Sequence, residues 1–172
     1  LSCVCNGFER CDIRPGDDVL IIGAGPIGIM HGMLARMAGA GRVYINDLSA
    51  ERLATCKAID PAFLTVEGDI EEVIARDTRG EGVQVCITAC PSPAAQATAL
   101  RVCGNNARIN FFGGVPADRQ PVPLDTNLIH YKQLKVSGTT RASLTQFRKT
   151  LRFISSGVLN VKPLITRTLP LT

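Results

Sequence analysis

Three glycines spaced Gly23-x-Gly25-x-x-Gly28 follow directly on the apolar run Val19-Leu20-Ile21-Ile22. In such a loop Gly23 permits a tight turn, Gly25 lets the backbone come close to a bound group, and Gly28 lets the next helix pack against the strand. A helix opening at Pro26 then presents unpaired N–H groups and the positive end of its dipole. That suits an anion such as the pyrophosphate of a dinucleotide. Three glycines in six residues also occur in ordinary strand-to-helix turns, so the spacing gains its meaning from what surrounds it.

The surroundings supply that meaning. Ile27, Met30, Leu34 and Met37 recur at helical spacing, Gly39 and Gly41 end the helix, and Arg42-Val-Tyr-Ile-Asn-Asp47 reads as a second strand closed by an acid. Asp47 lies 19 residues after Gly28, close to the roughly 20-residue interval at which a carboxylate reaches the adenosine ribose hydroxyls. A carboxylate there repels the 2'-phosphate of NADP, so NAD is the expected cofactor. Arg52, one turn into the next helix, has the chemistry to pair with a phosphate, but beside Asp47 it reads as packing over the adenosine. The alternative for Asp47 is a cap, because Asp and Ser49 both start helices well, here one over 49–57.

Strands are expected near 18–23, 42–46, 62–66, 83–89, 107–113 and 133–138, and helices near 26–38, 49–57, 69–77, 92–102 and 142–156. Such alternation builds a parallel sheet covered on both faces. The expected fold is α/β, a Rossmann fold: a six-stranded doubly wound parallel sheet in the order 3-2-1-4-5-6, with the ligand at the switch point beside the first strand. Residues 12–160 make up that domain. Residues 1–11 form a short helix-like stretch before it, and 161–172 an extended tail with prolines near both ends; both resemble severed connections.

The 172 residues are 45% hydrophobic, enough for one domain with its own core. A net charge of +4 with dispersed basic residues gives no reason to expect nucleic acid or an anionic membrane as partner. No apolar run of about 18 residues exists, and the first residues show neither a basic segment nor a cleavage-like site, so a soluble cytoplasmic protein is expected. Seven cysteines, an odd number, include Cys86, Cys90 and Cys103 in apolar segments. That suits reduced thiols better than a disulfide framework. Cys3, Cys5 and Cys11 are the one cluster, and His31 and His130 stand alone, so no complete metal site is expected. His31 reads as a surface or supporting residue, and Met30, Met33 and Met37 as core filling. Tyr131-x-x-x-Lys135 matches a catalytic pair of short-chain dehydrogenases, but its setting reads as strand, where the two side chains do not meet.

Five segments occur in the order of a known family: Gly23-Ala-Gly-Pro-Ile-Gly28, Asp47-Leu-Ser-Ala-x-Arg52-Leu, Phe112-Gly-Gly, Lys135-Val-Ser-Gly-Thr-Thr and Val161-Lys-Pro-Leu-Ile-Thr. Through them the chain resembles the coenzyme domain of zinc-containing medium-chain alcohol and polyol dehydrogenases, the sorbitol and threonine dehydrogenases in particular. The resemblance implies that Pro26 and Ile27 cover the pyrophosphate with the three glycines, and that Asp47 and Arg52 hold the adenosine. It puts residues 88–90, with Ala89 and Cys90, beside the adenine. Phe112, Gly113, Gly114, Thr139, Thr140 and Arg141 would bind the nicotinamide ribose and carboxamide. For the whole protein it implies oxidation of a polyol or secondary alcohol by NAD, zinc in a catalytic domain outside this chain, and a homodimer or homotetramer formed through the sheet edge. Residues 1–11 would then be the linker helix from that domain and 161–172 the exit strand back toward it. The chain by itself would be inactive, and no catalytic residue is assigned within it. Ala58-Ile-Asp-Pro61, Cys90-Pro91 and Arg167 depart from the family's usual residues. Two other readings stay open: a non-catalytic NAD-sensing Rossmann module, which would share the whole fingerprint, and an S-adenosylmethionine-dependent methyltransferase, whose glycine spacing differs.

Overall fold

In the computed structural model, which describes residues 1–171, the chain alternates strand and helix as the periodicity predicts. The strands are β1 (Asp18–Ile22), β2 (Arg42–Asn46), β3 (Leu64–Val66), β4 (Val83–Thr88), β5 (Cys103–Phe111) and β6 (Lys135–Gly138). The helices are α1 (Ser2–Cys11), α2 (Pro26–Met37), α3 (Ala50–Ile59), α4 (Ile70–Asp77), α5 (Pro93–Val102), α6 (Thr126–Tyr131) and α7 (Leu144–Ser155). All five strand pairings are parallel and the order is β3-β2-β1-β4-β5-β6, the Rossmann arrangement. Every strand therefore ends at the same edge, and the order reverses between β1 and β4, where a crevice opens.

β1 is buried at all five residues, as a parallel strand covered on both faces must be. Its side chains alternate between two cores. Leu20 and Ile22 join Tyr44, Cys86, Leu100 and Ile109 on one face, while Val19 and Ile21 join Ile45, Leu53, Phe63 and Val85 on the other. Met30, Met33 and Met37 pack round Val4, Leu34 and Leu159, which is core filling. α1 lies against α2 and α7, and Gln146 of α7 donates to Asn6 at 3.1 Å and to Glu9 at 2.8 Å.

Helix starts follow from short polar side chains that accept otherwise unpaired N–H groups. Ser49, Asp69 and Ser92 cap α3, α4 and α5. At α7, Ser143 accepts from the Gln146 N–H at 3.2 Å while the Gln146 side chain accepts from the Ser143 N–H at 2.8 Å, a reciprocal capping box. Ser143→Ala is expected to lower stability by about 1 kcal/mol. Urea unfolding would measure that loss, and an unchanged midpoint would mean the cap is idle.

The structure departs from the sequence reading in three places. β5 begins at Cys103 rather than near 107, because Val83 pairs with Cys103 before the register shifts at Val85. The polar stretch Gly104-Asn105-Asn106, with Asn106 at φ 59°, hides that start. α6 was not expected; Asp125 caps it by accepting from Asn127 N–H at 2.9 Å, and Leu128 and Ile129 pack on the sheet. Its end at Tyr131, followed by Gln133 at φ 53°, delays β6 to Lys135. Tyr131 and Lys135 thus stand on different elements. In the tail, 161–171 contain a 3-10 turn at Lys162–Leu164 and no ladder among the described residues; Thr172 lies outside them.

Candidate functional site

The glycine loop joins β1 to α2, and backbone geometry calls for glycine at two of its three positions. Gly23 has φ 118°, and a Cβ there would lie 2.9 Å from the Ala89 carbonyl oxygen. At Gly28 a Cβ would overlap the Gly23 carbonyl oxygen, so α2 sits as close to the strand as backbone permits. Gly25 caps α2 at φ −73°, a conformation open to any residue, and nothing lies within 4 Å of where its Cβ would be. The space over Gly25 is therefore open, at a helix N-terminus whose first N–H groups have no side-chain cap. Pro26 begins α2, and Ile27 beside it is 42% exposed.

Asp47 ends β2 at the same edge. One carboxylate oxygen accepts the Ala24 N–H of the loop at 2.8 Å, and the other accepts the Ser49 N–H at 3.0 Å. It braces the turn into α3 and stands at the crevice. Burial alone would raise its carboxyl; the two N–H bonds and Arg52, 3.5 Å away, outweigh that and hold it below the usual carboxylate range.

Between β2–α3 and β4–α5 lies a cleft of about 600 Å³. Of the residues that the sequence reading assigned to the cofactor, Gly23, Asp47, Arg52 and Cys90 line it. Leu48, Ile70 and Thr98 line it too and were not foreseen; they supply apolar walls of the kind that flank a flat ring. Only the position of Leu48, fully exposed directly after Asp47, could have signalled one of them.

The remaining candidate residues lie across the switch point. The Gly113 N–H donates to Thr88 at 2.8 Å, and a Cβ at Gly113 would overlap the Cys90 carbonyl, which ties the Phe112–Gly114 segment to the end of β4. Thr139 donates to Asn110 of β5 at 3.2 Å, and the Thr140 and Arg141 carbonyls accept from Asn6 of α1 at 3.4 and 3.1 Å. Neither segment lines the cleft, so the site residues fall into two groups with the glycine loop between them.

His31 corrects an expectation. It is not at the surface but fully buried, and burial pushes its imidazole down to about 3. Unfolded, it titrates near its ordinary value of about 6.5. Between those values the folded chain binds fewer protons, so this contribution to stability is complete above the unfolded value and is lost as pH falls. Lowering pH from about 7 to about 5 is expected to remove about 2 kcal/mol through this residue. His31→Phe should flatten that limb in urea melts; an identical slope would contradict the assignment.

The sequence profile of zinc-binding dehydrogenases matches residues 26–156. The chain belongs to the zinc-binding dehydrogenase family. The match falls on that family's cofactor-binding region. Among curated relatives, L-threonine 3-dehydrogenase of Bacillus velezensis is 35% identical over 161 residues, covering 91% of this chain and 45% of the relative. Sorbitol dehydrogenase of Bacillus subtilis is 29% identical, covering 91% and 44%. A structure from Sinorhizobium meliloti 1021, described as a zinc-binding dehydrogenase bound to NADP, superposes with a TM-score of 0.84 at 24% identity over 92% of this chain and 47% of its own. The chain thus spans a little under half the length of the relatives it matches. Among the described residues no group of three His, Cys, Asp or Glu side chains is placed to hold a metal ion. No helix among them is long and apolar enough to cross a membrane.

Proposed function

We propose that this chain is the NAD-binding domain of a zinc-dependent dehydrogenase that oxidises a polyol or secondary alcohol. The observation that carries the proposal is Asp47. A carboxylate offers about four acceptor positions, and the Ala24 and Ser49 N–H groups take one on each oxygen. Arg52 lies 3.5 Å from one oxygen; the remaining positions would meet the adenosine ribose hydroxyls at the mouth of the cleft, with the pyrophosphate over Gly25 and the α2 N-terminus. Gly23, Gly28 and Pro26 shape that turn, Ile27 and Arg52 flank it, and Ala89 and Cys90 border the adenine. Phe112, Gly113, Gly114, Thr139, Thr140 and Arg141 take the nicotinamide end. A bound nicotinamide supplies the hydride acceptor; the chain's own residues orient it. In this reading zinc and the substrate-binding groups would come from outside this chain, which spans a little under half the length of its relatives.

Two surfaces support a larger assembly. Leu144, Phe147, Leu151, Ile154 and Val158 fall on one face of α7 and its continuation, and all are exposed. Such a seam suits coverage by the rest of a relative-length protein, to which 1–11 and 161–172 would connect. β6 has a free edge, which suits a homodimer or homotetramer formed edge to edge. All seven cysteines are free, in keeping with a cytoplasmic location.

The test is calorimetric titration of the protein expressed from its intact gene with NADH, NADPH and S-adenosylmethionine. NADH binding tighter than NADPH, with none for S-adenosylmethionine, is expected. Binding of S-adenosylmethionine alone would overturn the proposal. A protein that binds NADH but passes hydride from no polyol or secondary alcohol to NAD would instead be a cofactor-sensing module.

A further inference from the structure

His31 has no conventional reason to be histidine. It is fully buried in α2, and neither ring nitrogen has a hydrogen-bond partner among the described residues. Buried polar groups are normally paired, and one left unpaired calls for an explanation. Its contacts are aromatic: the imidazole meets the Phe112 ring edge-on, with centroids 4.7 Å apart and planes at 81°. Such pairs have a preferred geometry, so each ring restricts the other.

Gly7, inside α1, closes the third side. A Cβ at that position would lie 2.8 Å from Phe112 Cδ2 and 2.9 Å from His31 Cε1. Glycine within a helix is unfavourable by itself, so its presence here matches the space the two rings need. Phe112 in turn packs both with the sheet core and with the cluster formed by α1, α2 and the chain round Leu159. The next N–H, on Gly113, is fixed to the Thr88 carbonyl.

We infer that His31 is a positioning residue: through its edge-on contact with Phe112, backed by Gly7 of α1, it sets where the Phe112–Gly114 backbone presents itself to the nicotinamide end of the cofactor. This rests on the reading of the crevice as an NAD site. Its distinctive consequence is that it acts on one half of the dinucleotide only. Asp47 and the glycine loop, which face the adenosine and pyrophosphate in that reading, share no side-chain hydrogen bond with Gly7, His31 or Phe112 among the described residues. Because neither nitrogen is bonded, ring shape rather than polarity does the positioning.

The experiment compares NADH with ADP, which lacks both the nicotinamide and its ribose, on the protein expressed from its intact gene. His31→Ala is expected to weaken NADH by about tenfold while ADP affinity stays within about twofold, and bound NADH fluorescence should change. His31→Phe should restore NADH affinity. Gly7→Ala, which presses a methyl on both rings, should reproduce the selective loss and serves where His31→Ala fails to fold. Parallel losses for both ligands, no loss of NADH affinity, or failure of phenylalanine to restore it would each overturn the inference. Wild type that binds neither ligand would instead refute the cofactor site itself.

Discussion

Replacing Gly28 by valine is expected to abolish measurable NADH binding and to lower folding stability by about 3 kcal/mol, the upper end for forced overpacking. The reason is local and steric. Even a single Cβ at Gly28 would overlap the Gly23 carbonyl oxygen, with Ile21 behind it at 3.4 Å. That carbonyl cannot yield freely, because Gly23 already sits at φ 118° with its own N–H donated to Asn46 at 2.8 Å. The N-terminus of α2 must therefore move off the strand, and the N–H groups that would meet the pyrophosphate move with it. Gly25→Ala separates the two effects. Its φ suits any residue and nothing lies within 4 Å, so stability should stay within about 0.5 kcal/mol. NADH affinity should nonetheless fall by about tenfold or more, since the methyl fills the space assigned to the phosphates. Urea unfolding and calorimetry on the two variants decide the matter. If Gly25→Ala binds NADH as tightly as wild type, the pyrophosphate does not lie there.

For Asp47→Ala the expected result is a loss of about a hundredfold in NADH affinity, from charge-assisted hydrogen bonds to the ribose hydroxyls. NADPH affinity should hold or rise. Removing the carboxylate frees Arg52, now 3.5 Å from it and largely exposed, to pair with a 2'-phosphate. The margin between the two cofactors, rather than either affinity, is the informative quantity. Asp47 also anchors the Ala24 and Ser49 N–H groups, so a purely structural loss would weaken both cofactors alike and leave the margin intact. That outcome would return Asp47 to a capping role. Because its carboxyl is held below the usual range, the preference for NADH should persist across pH 5 to 8.

The loop and the strand-ending acid on the Asp47 side of the crevice were legible because they lie close together in the chain. Gly23, Gly25, Gly28 and Asp47 are separated by one helix and one strand, and the lengths of those elements place them together. The side of the crevice proposed for the nicotinamide is assembled from residues far apart in the chain. Thr139 reaches Asn110, and Asn6 reaches Thr140 and Arg141, across more than a hundred positions in the latter case. Leu48, Ile70 and Thr98 share a cleft through strand order alone, and no spacing in the sequence connects them. α6 escaped notice because six residues are too few to display a helical period.

From its sequence alone this chain is a parallel α/β domain with a dinucleotide-type loop, since hydrophobic period, glycine spacing and a strand-ending acid are local properties that survive in one dimension. What tertiary structure decided is where side chains of ambiguous character ended up. The sequence left His31 open between a surface and a supporting role, and its burial against Phe112 depends on a missing Cβ at Gly7, on another helix. Solvent exposure and edge-on contact are set by what packs from distant segments, and no local pattern encodes them.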